Sequence, residues 1–390
     1  MPSLQAFLSS ARRECRYLLG SPSDLALATW IPCLLLLLMA WLFSGGLPRE
    51  LPIAVVDLDR STTSRQLVRQ LEASPGLKVS EQARSLSQAL ALARELKIYA
   101  VVHIPAGTEA AIQRGGSGSV FSYYNASYQV AGQAAARDID SAVQALAIEL
   151  TATEVGMIRG PGALRAAPVA VQLSVLFNPS RSYEHFLLGL IFPAILHLAM
   201  CVAMVGAFGR ELRDATVRPW LREAHDRLLP ALLGKMTPYF VLFSLYGVAS
   251  LLWLVLIRGT AMAADEMALL VLGQALMYLA YAALALLFVA LTRNMVTALS
   301  VAGLYAGTSM AFSGATFPLQ GAPWFTRVWS ELLPYTAYLK LQGQQLEMGS
   351  ALTVSLWPLA TLLLFVLLAG VVGAVLYGRA SRDPSAWGLR

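Results

Sequence analysis

Residues 209–235 read GRELRDATVRPWLREAHDRLLPALLGK and lie between two apolar segments, 184–208 and 236–257. The stretch carries six Lys or Arg residues and four Asp or Glu residues. Apolar segments of this length are typical of membrane-spanning helices, whereas so many charges require contact with water or with other charges. The sequence therefore predicts two spans joined by a charged connection, where we expect a soluble partner to bind.

The composition of the whole chain is that of a membrane protein. Hydrophobic residues make up 57% of the 390 residues and charged residues 13%, about half the charged share of soluble domains. The mean hydropathy is +0.59. The net charge of +6 does not imply nucleic-acid binding, because the placement of basic residues matters more than their sum in a membrane chain. Cys15, Cys33 and Cys201 include no CxxC pair, which argues against zinc or redox chemistry.

Six apolar segments are long enough to cross a bilayer. The first is 25–43, and the five within 183–378 lie at about 184–208, 236–257, 267–291, 295–313 and 356–377. Thirteen Lys and Arg residues fall on the side of the chain termini and of the 209–235 connection, against three in the short loops opposite. The positive-inside rule therefore predicts that both termini are cytosolic, including the tail 379–390.

Residues 1–24 are predicted to form an amphipathic helix. Apolar residues recur at helical spacing, while Arg12, Arg13 and Arg16 occupy the other side. The pattern fits a helix lying on the cytosolic membrane surface, and it fits equally a solvated helix packed on a partner. Both interpretations stay open at the level of sequence.

Residues 44–182 are predicted to form an extracytoplasmic α/β domain between the first two spans. Short β-branched runs alternate there with segments of helical periodicity, which is typical of such domains. The predicted strands are Ile53–Val56, Tyr99–Ile104 and Val120–Tyr124, and the predicted helices are Thr62–Ala73, Leu86–Lys97 and Gln129–Val155. The predicted fold class is thus membrane α-helical, with six transmembrane helices plus an extracytoplasmic α/β domain.

Residues 312–338 follow the fifth apolar segment and combine prolines and glycines with many aromatic residues. This composition is too polar and too interrupted for a span. It predicts a broken, partly re-entrant segment at the outer membrane interface. The alternative is an ordinary surface loop with an aromatic belt.

The chain is predicted not to be an enzyme. Gly234-Lys235 lacks the glycine five residues upstream that a phosphate-binding loop requires, so ATP hydrolysis must come from another chain. Asp57, Asp59 and Ser61 are expected to form a turn that starts a helix, rather than a cation or phosphate site.

Two histidines fall in or near the second span. His185 and His197 are twelve residues apart, about 120° around a helix, so they cannot form a ligand pair on one face. A histidine inside a membrane is a functional hypothesis by default, but no partner is visible in the sequence. For His197 we expect helix-to-helix hydrogen bonding.

Four stretches together resemble the permease subunit of type-2 ABC exporters, in the branch with a large periplasmic domain between the first two spans. The resemblance covers almost the whole chain. Its stretches are Val55-Val56-Asp57-Leu58-Asp59 with Ser61 and Ser64-Arg65; Phe177-Asn178-Pro179; Arg210-Glu211 with Thr216, Gly234-Lys235 and Pro238; and Phe312-Ser313-Gly314 with Phe317-Pro318, Pro323-Trp324 and Pro334. The last stretch is the most specific, because its small, aromatic and proline positions keep both order and spacing.

The resemblance implies two permeases of six spans each, paired in the membrane above two separate ATPase subunits. The first cytosolic loop of the family carries a coupling helix that docks on the ATPase, and the N-terminal surface helix contributes to the same contact. By position, the coupling residues here are Arg210, Glu211, Arg213, Asp214 and Thr216. The implied outer gate comprises Phe312, Ser313, Gly314, Phe317, Pro318, Pro323, Trp324 and Pro334.

One position departs from the family pattern. The family usually has a Glu followed after a few residues by Gly-Thr, whereas this chain has Ala215-Thr216. Together with the charged run of 218–227, this difference leaves open a degenerate or partner-specific dock, and pairing with a non-identical permease.

The function implied by the resemblance is ATP-driven export of an amphipathic drug or lipid-like substrate across a bacterial inner membrane. No cofactor is expected on this chain, since ATP and Mg would bind the partner ATPase. Expected partners are two copies of an ABC ATPase subunit, a second permease (identical or homologous), a periplasmic adaptor protein and membrane lipids, but no nucleic acid. The alternatives are a secondary transporter, disfavoured by the lack of internal repeats and mid-span carboxylates, and a receptor-like protein whose outer domain binds ligand.

Overall fold

The computed structural model of the chain describes residues 2–44, 49–114, 116, 118–159, 182–259 and 262–388. It consists of two compact units, the first formed by Met1–Ser44 with Leu176–Arg390 and the second by Gly45–Val175. The predicted motif Phe177-Asn178-Pro179 lies outside the described residues.

Helices make up most of the described chain. They are α1 (Pro2–Gly20), α2 (Pro22–Ala28), α3 (Trp30–Phe43), α4 (Thr62–Ala73), α5 (Leu86–Arg94), α6 (Thr108–Gln113), α7 (Gln129–Arg159), α8 (Tyr183–Arg213), α9 (Val217–Glu223), α10 (Leu228–Arg258), α11 (Ala264–Thr292), α12 (Met295–Gly307), α13 (Ser309–Phe312), α14 (Trp324–Glu331), α15 (Pro334–Gln342) and α16 (Leu352–Ala380). The strands are β1 (Leu51–Asp57), β2 (Leu77–Gln82), β3 (Ala100–Ile104) and β4 (Phe121–Tyr124).

Six helical segments among the described residues are long and apolar enough to cross a membrane. Each overlaps one of the six apolar segments predicted from the sequence, which makes the chain a multi-pass, membrane α-helical protein. The segments are Pro22–Phe43, Tyr183–Arg213, Leu228–Ile257, Ala264–Thr292, Met295–Phe312 and Leu352–Ala380.

Two of these helices extend well into the charged stretch 209–235. α8 continues past residue 208 to Arg213, and α10 begins at Leu228 rather than near residue 236. The short helix α9 lies between them, so most of the predicted connection is helical. The charged residues can stay in these helix ends because their side chains form ion pairs inside the protein.

The centre of the first unit is formed by α8 and α11, with α16 packed along α11. At this crossing a Cβ on Gly373 would lie 3.0 Å from the backbone nitrogen of Leu287, so the close approach depends on glycine. The Tyr377 hydroxyl donates a hydrogen bond to the Phe208 carbonyl oxygen at 2.9 Å, which connects α16 to α8.

The second unit contains a four-stranded sheet in the order β2-β1-β3-β4. β1 pairs in parallel with β2 and β3, whereas β4 pairs antiparallel with β3. Alternate residues of β1 face opposite sides of the sheet: Ile53 and Val55 pack on α4 and α7, while Ala54 and Val56 pack with residues of α5. Both faces of the central strand are therefore covered, as its nearly continuous apolar run predicts.

The three predicted strands and three predicted helices of this unit are present with small changes at their ends. Two elements, β2 and α6, were not expected. The exposed side chains of β2 are mostly polar, because it is an edge strand, so it lacks the apolar run that marks β1 and β3. The predicted turn after β1 is also present: Ser61 caps α4 by accepting a hydrogen bond from the Ser64 backbone N–H at 3.0 Å.

Candidate coupling site

Every buried Asp, Glu, Lys or Arg side chain in the described part of the chain belongs to one cluster. Its members are Glu14, Arg210, Glu211 and Lys235, with exposed fractions of 1%, 6%, 2% and 1%. Three helices contribute them: α1 supplies Glu14, the last turn of α8 supplies Arg210 and Glu211, and the start of α10 supplies Lys235. We refer to these four residues as the buried ion cluster.

Lys235 is the bridge of the buried ion cluster. Its Nζ atom donates to Glu14 Oε2 at 2.6 Å and to Glu211 Oε1 at 2.7 Å. Arg210 donates to the other Glu14 oxygen, Oε1, at 2.6 Å, and the Tyr239 hydroxyl donates to the same atom at 2.8 Å. Two carboxylates and two cations thus share short, charge-assisted hydrogen bonds that connect α1, α8 and α10.

The second oxygen of Glu211 also has partners. Thr216, just before α9, donates its hydroxyl hydrogen bond to Glu211 Oε2 at 2.6 Å, and Arg13 Nη2 lies 3.3 Å from the same atom. The carboxylate of Glu211 therefore connects α8 to α10, to α1 and to the residue that precedes α9. A buried carboxylate must be satisfied in this way, because an unpaired charge in the interior is very costly.

The charges of the cluster determine the protonation of Glu14. Burial alone would raise the pKa of Glu14, but Lys235 and Arg210, through their charges and hydrogen bonds, hold this pKa below its usual value. Glu14 is therefore ionised at neutral pH, and the ion pairs of the cluster persist there.

Close packing holds α1 against α10 beside the cluster. A Cβ on Gly234 would overlap the Phe7 carbonyl oxygen and lie 3.1 Å from its carbonyl carbon, so only glycine fits at this contact. Ser10 donates to the Ala231 carbonyl oxygen at 2.7 Å and accepts from the Trp220 indole N–H at 2.9 Å. The same few residues thus fix α1, α9 and α10 to one another.

The structure places the five predicted coupling residues in two environments. Arg210 and Glu211 point into the buried ion cluster, and Thr216 is hydrogen-bonded to Glu211. Arg213 and Asp214 lie at the surface, where Arg213 Nε is 2.8 Å from Asp214 Oδ1. Arg213 and Asp214 can thus be reached from the surface, whereas Arg210 and Glu211 contact side chains of α1 and α10.

Ala215 has a backbone φ of 53°, which lies in the left-handed region where glycine is favoured. This is the position at which the resembling family usually has Gly. This left-handed conformation ends α8 and directs the chain into α9, so the turn requires it with any side chain at position 215. Alanine therefore keeps the turn at the cost of backbone strain.

Sequence reasoning missed two central members of the cluster. Glu14 is the only acidic residue in the first 23 residues, and Lys235 is the only charged residue between Arg227 and Arg258. Glu14 is a lone negative charge in a basic segment, and Lys235 is a lone charge in an apolar segment. Each pattern is a signal that could have pointed to the residue. Neither pattern shows by itself that the two side chains meet.

The predicted outer segment 312–338 is interrupted, as its prolines and glycines indicate. After α13 ends at Phe312, the chain is non-helical up to α14, and α15 begins at Pro334. α14 exposes aromatic residues such as Trp324 and Phe325, whereas α15 is largely buried. In α15, Tyr335 donates to the Leu190 carbonyl oxygen at 2.7 Å.

The predicted gate residues divide in the same way. Ser313 and Pro334 are buried, Phe312 and Gly314 are half-buried, and Phe317, Pro318, Pro323 and Trp324 are exposed. Gly314 has a φ of 81°, which explains a glycine there. Gln342, which was not predicted, donates to the Gly189 carbonyl oxygen at 2.8 Å and joins α15 to α8.

The two histidines of α8 contact different parts of the chain. His185 Nε2 lies 2.5 Å from Glu347 Oε1. His197 lies with Nδ1 2.7 Å from the Pro193 carbonyl oxygen and Nε2 3.1 Å from the Ala306 carbonyl oxygen of α12. The contact with Ala306 joins α8 to α12, and it is the expected helix-to-helix hydrogen bond in the tautomer that carries its proton on Nε2.

These features define a class of protein: a multi-pass membrane protein whose second and third spans are joined by a short helix, with buried charges clustered beside that helix. Residues 22–376 match the family model for ABC-2 family transporter proteins, and the chain belongs to that family. No curated protein sequence gives a significant match to the chain.

Membership gives the chain a general role. Proteins of this family are membrane transport subunits of ABC transporters, generally without an ATPase site of their own. They partner with an ABC ATPase subunit.

Proposed function

We propose that this chain is the membrane subunit of an ATP-driven exporter, and that the surface around α9 receives the force produced by the partner ATPase. The observation that carries this proposal is the buried ion cluster, which joins α1, α8 and α10 beside the exposed pair Arg213–Asp214. A push on this surface would move three helix ends as one body, because breaking the buried ion pairs is expensive.

The position of α1 supports the same arrangement. Its polar residues Ser10 and Glu14 face the protein, whereas Leu4, Leu8 and Leu19 are exposed. A helix that exposes several leucines next to a basic flank is suited to the membrane surface. We place this surface on the cytosolic side of a bacterial inner membrane, with both termini cytosolic, on the basis of the positive-inside count.

The remaining parts of the proposal follow the family resemblance. The cargo is an amphipathic drug or lipid-like molecule, and a second permease, identical or homologous, completes the pathway. Two ATPase subunits bind ATP and Mg on the cytosolic side. The segment 312–338 closes the exit, and the unit Gly45–Val175 lies outside the membrane, where it caps the exit or passes cargo to a periplasmic adaptor.

An ion-gradient transporter is less well supported. Such proteins use buried ionisable residues near the middle of their spans. Among the described residues, the buried carboxylates are Glu14 in α1 and Glu211 near the end of α8, both already neutralised by cations. They are suited to holding helices together rather than to carrying protons or cations.

The proposal is tested by ATP hydrolysis in the complex of this chain with its ATPase, reconstituted in nanodiscs. Asp214→Arg reverses a charge on the proposed docking surface without touching the buried ion cluster. We expect it to lower the stimulation of ATP hydrolysis at least about fivefold, the lower end of typical coupling energies.

The matched control is Glu95→Arg. Glu95 also forms an exposed ion pair with a near neighbour in sequence, Lys97, at 2.8 Å, but it belongs to the second unit and not to the helix ends around α9. This control should keep full stimulation. Equal effects of the two substitutions, or no effect of Asp214→Arg, would contradict the proposed docking surface.

A further inference from the structure

An apolar groove of about 790 Å³ runs between α10, α11 and α16 in the first unit. Its walls include Leu232 and Met236 of α10, Leu286 of α11, and Val371 and Val375 of α16. The groove has an almost wholly hydrocarbon lining, and none of these residues belongs to the buried ion cluster. It is therefore a separate feature of the molecule.

The length of the groove matches one leaflet of a bilayer. On α16 its lining extends from Val366 to Gly378, which corresponds to about 18 Å along a helix. The hydrocarbon core of a bilayer is about 30 Å thick, so one leaflet takes up about half of that. An acyl chain inserted from one membrane surface would thus fill the groove without crossing the bilayer.

Arginines surround one end of the groove. Arg379 and Arg382 line the groove itself, and a second cavity of about 380 Å³ continues from it, sharing Arg382 and lined also by Arg218 and Arg222. Asp226 is the carboxylate in the lining of this second cavity. The end of the groove therefore carries a clear excess of positive charge.

Within the described part of the chain, none of these four arginines forms an ion pair with a carboxylate, although the Arg218 guanidinium stacks over the Trp387 ring at 4.8 Å. Guanidinium groups recognise phosphate by paired hydrogen bonds. The apolar groove is about one leaflet deep and ends at this cluster of arginines. It is therefore complementary to an anionic phospholipid.

We propose that this groove binds a diacyl phospholipid with an anionic headgroup, with its tails between α10 and α16 and its phosphate among Arg218, Arg222, Arg379 and Arg382. The face of α9 that carries Arg218 and Arg222 is then occupied by lipid. The surface pair Arg213–Asp214 lines neither the groove nor the second cavity. The binding site does not depend on the ATPase or on the cargo.

The test measures binding of phosphatidylglycerol and of phosphatidylcholine to the delipidated full-length chain by native mass spectrometry. The double variant Arg222→Gln/Arg382→Gln should weaken phosphatidylglycerol binding about thirtyfold, since each surface cation near a headgroup typically contributes about fivefold. Phosphatidylcholine carries the same phosphate together with a choline cation that the arginines repel, so its binding should be weaker than that of phosphatidylglycerol in the wild type and should decrease less in the variant.

Two further variants complete the experiment. Arg84→Gln/Arg327→Gln removes two exposed arginines outside the groove and should leave phosphatidylglycerol binding unchanged. Val371→Trp adds bulk at a side chain that is 62% exposed, so it should fill the groove and weaken lipid binding without disturbing the core. Equal binding of the two lipids by the wild type, or equal losses in the groove and control double variants, would overturn the proposal.

A groove covered by a second copy of the chain would give a different result. In that case Val371→Cys would form disulfide-linked dimers in membranes, and phosphatidylglycerol would not bind the assembled protein. That outcome would also overturn the lipid site.

Discussion

Replacing Lys235 by Met removes the bridging cation of the buried ion cluster and leaves its volume nearly unchanged. Glu14 and Glu211, each within 2.7 Å of Lys235 Nζ, would then face each other without the charge that separates them. Removing one partner of a buried ion pair typically costs about 3–5 kcal/mol. For a unit of this size the expected loss in Tm is roughly 6–20 °C, measured by thermal unfolding of the purified chain in detergent.

Lys340→Met is a control that removes an ion pair of the same length whose two side chains are exposed. Lys340 Nζ lies 2.6 Å from Glu331 Oε1, with side-chain exposed fractions of 43% and 61%. An exposed pair contributes at most about 1 kcal/mol, so this variant should change Tm by no more than about 4 °C. Equal Tm losses in the two variants would refute the reasoning, because burial would then not determine the strength of the pair.

A double variant tests whether charge balance is the cause. Lys235→Met/Glu211→Gln again leaves equal numbers of positive and negative charges, and it keeps the Arg210–Glu14 pair at 2.6 Å. We expect it to be more stable than Lys235→Met alone by about 1 kcal/mol or more, which is typical coupling for residues in one network. Additive destabilisation by the two substitutions would contradict this account.

Three further changes have expected outcomes. Ala215→Gly should stabilise the chain by about 1 kcal/mol in thermal unfolding, because it relieves a left-handed backbone conformation. Gly234→Ala should displace α1, because its Cβ overlaps the Phe7 carbonyl oxygen, and hydrogen exchange in α1 should accelerate. Glu14→Gln should lower Tm most at neutral pH. The folded-state pKa of Glu14 is lowered, so its stabilisation is present above the ordinary Glu pKa of about 4.3 and is lost as pH falls through the lowered pKa.

Each of these changes has its own control or contrary result. Ala199→Gly, inside α8, should destabilise by about 0.5–1 kcal/mol, so a loss of stability in Ala215→Gly would show that its turn is not strained. Unchanged hydrogen exchange in Gly234→Ala would mean that α1 does not depend on this contact. A Tm difference between Glu14→Gln and the wild type that grows on acidification would contradict the lowered pKa.

The membrane fold could be predicted from the sequence because each span carries its own signal. A run of apolar residues long enough to cross a bilayer is a local property, and all six predicted runs overlap helices of the structure. The turn after β1 was predictable for the same reason: Asp57 accepts backbone N–H bonds from Asp59 and Arg60, only two and three residues away. The edge strand β2 has no such local signal and was missed.

The buried ion cluster could not be assembled from sequence because its members are far apart in the chain. Glu14 and Lys235 are separated by 221 residues, and each alone is compatible with an exposed position. Arg210 and Glu211 were predicted as coupling residues by position, without their burial. Their partners become visible only when α1, α8 and α10 pack together.

The most direct test of the central claim is to purify the tagged chain from its native membranes with mild detergent and to quantify what remains bound. If the chain is the permease of an ABC transporter that docks its ATPase beside α9, a soluble ABC ATPase should co-purify in equimolar amount. The ATPase should be strongly depleted from the Asp214→Arg variant, while Glu95→Arg should retain it. Absence of any ABC ATPase from the wild-type preparation, or equal recovery with all three forms, would contradict the account.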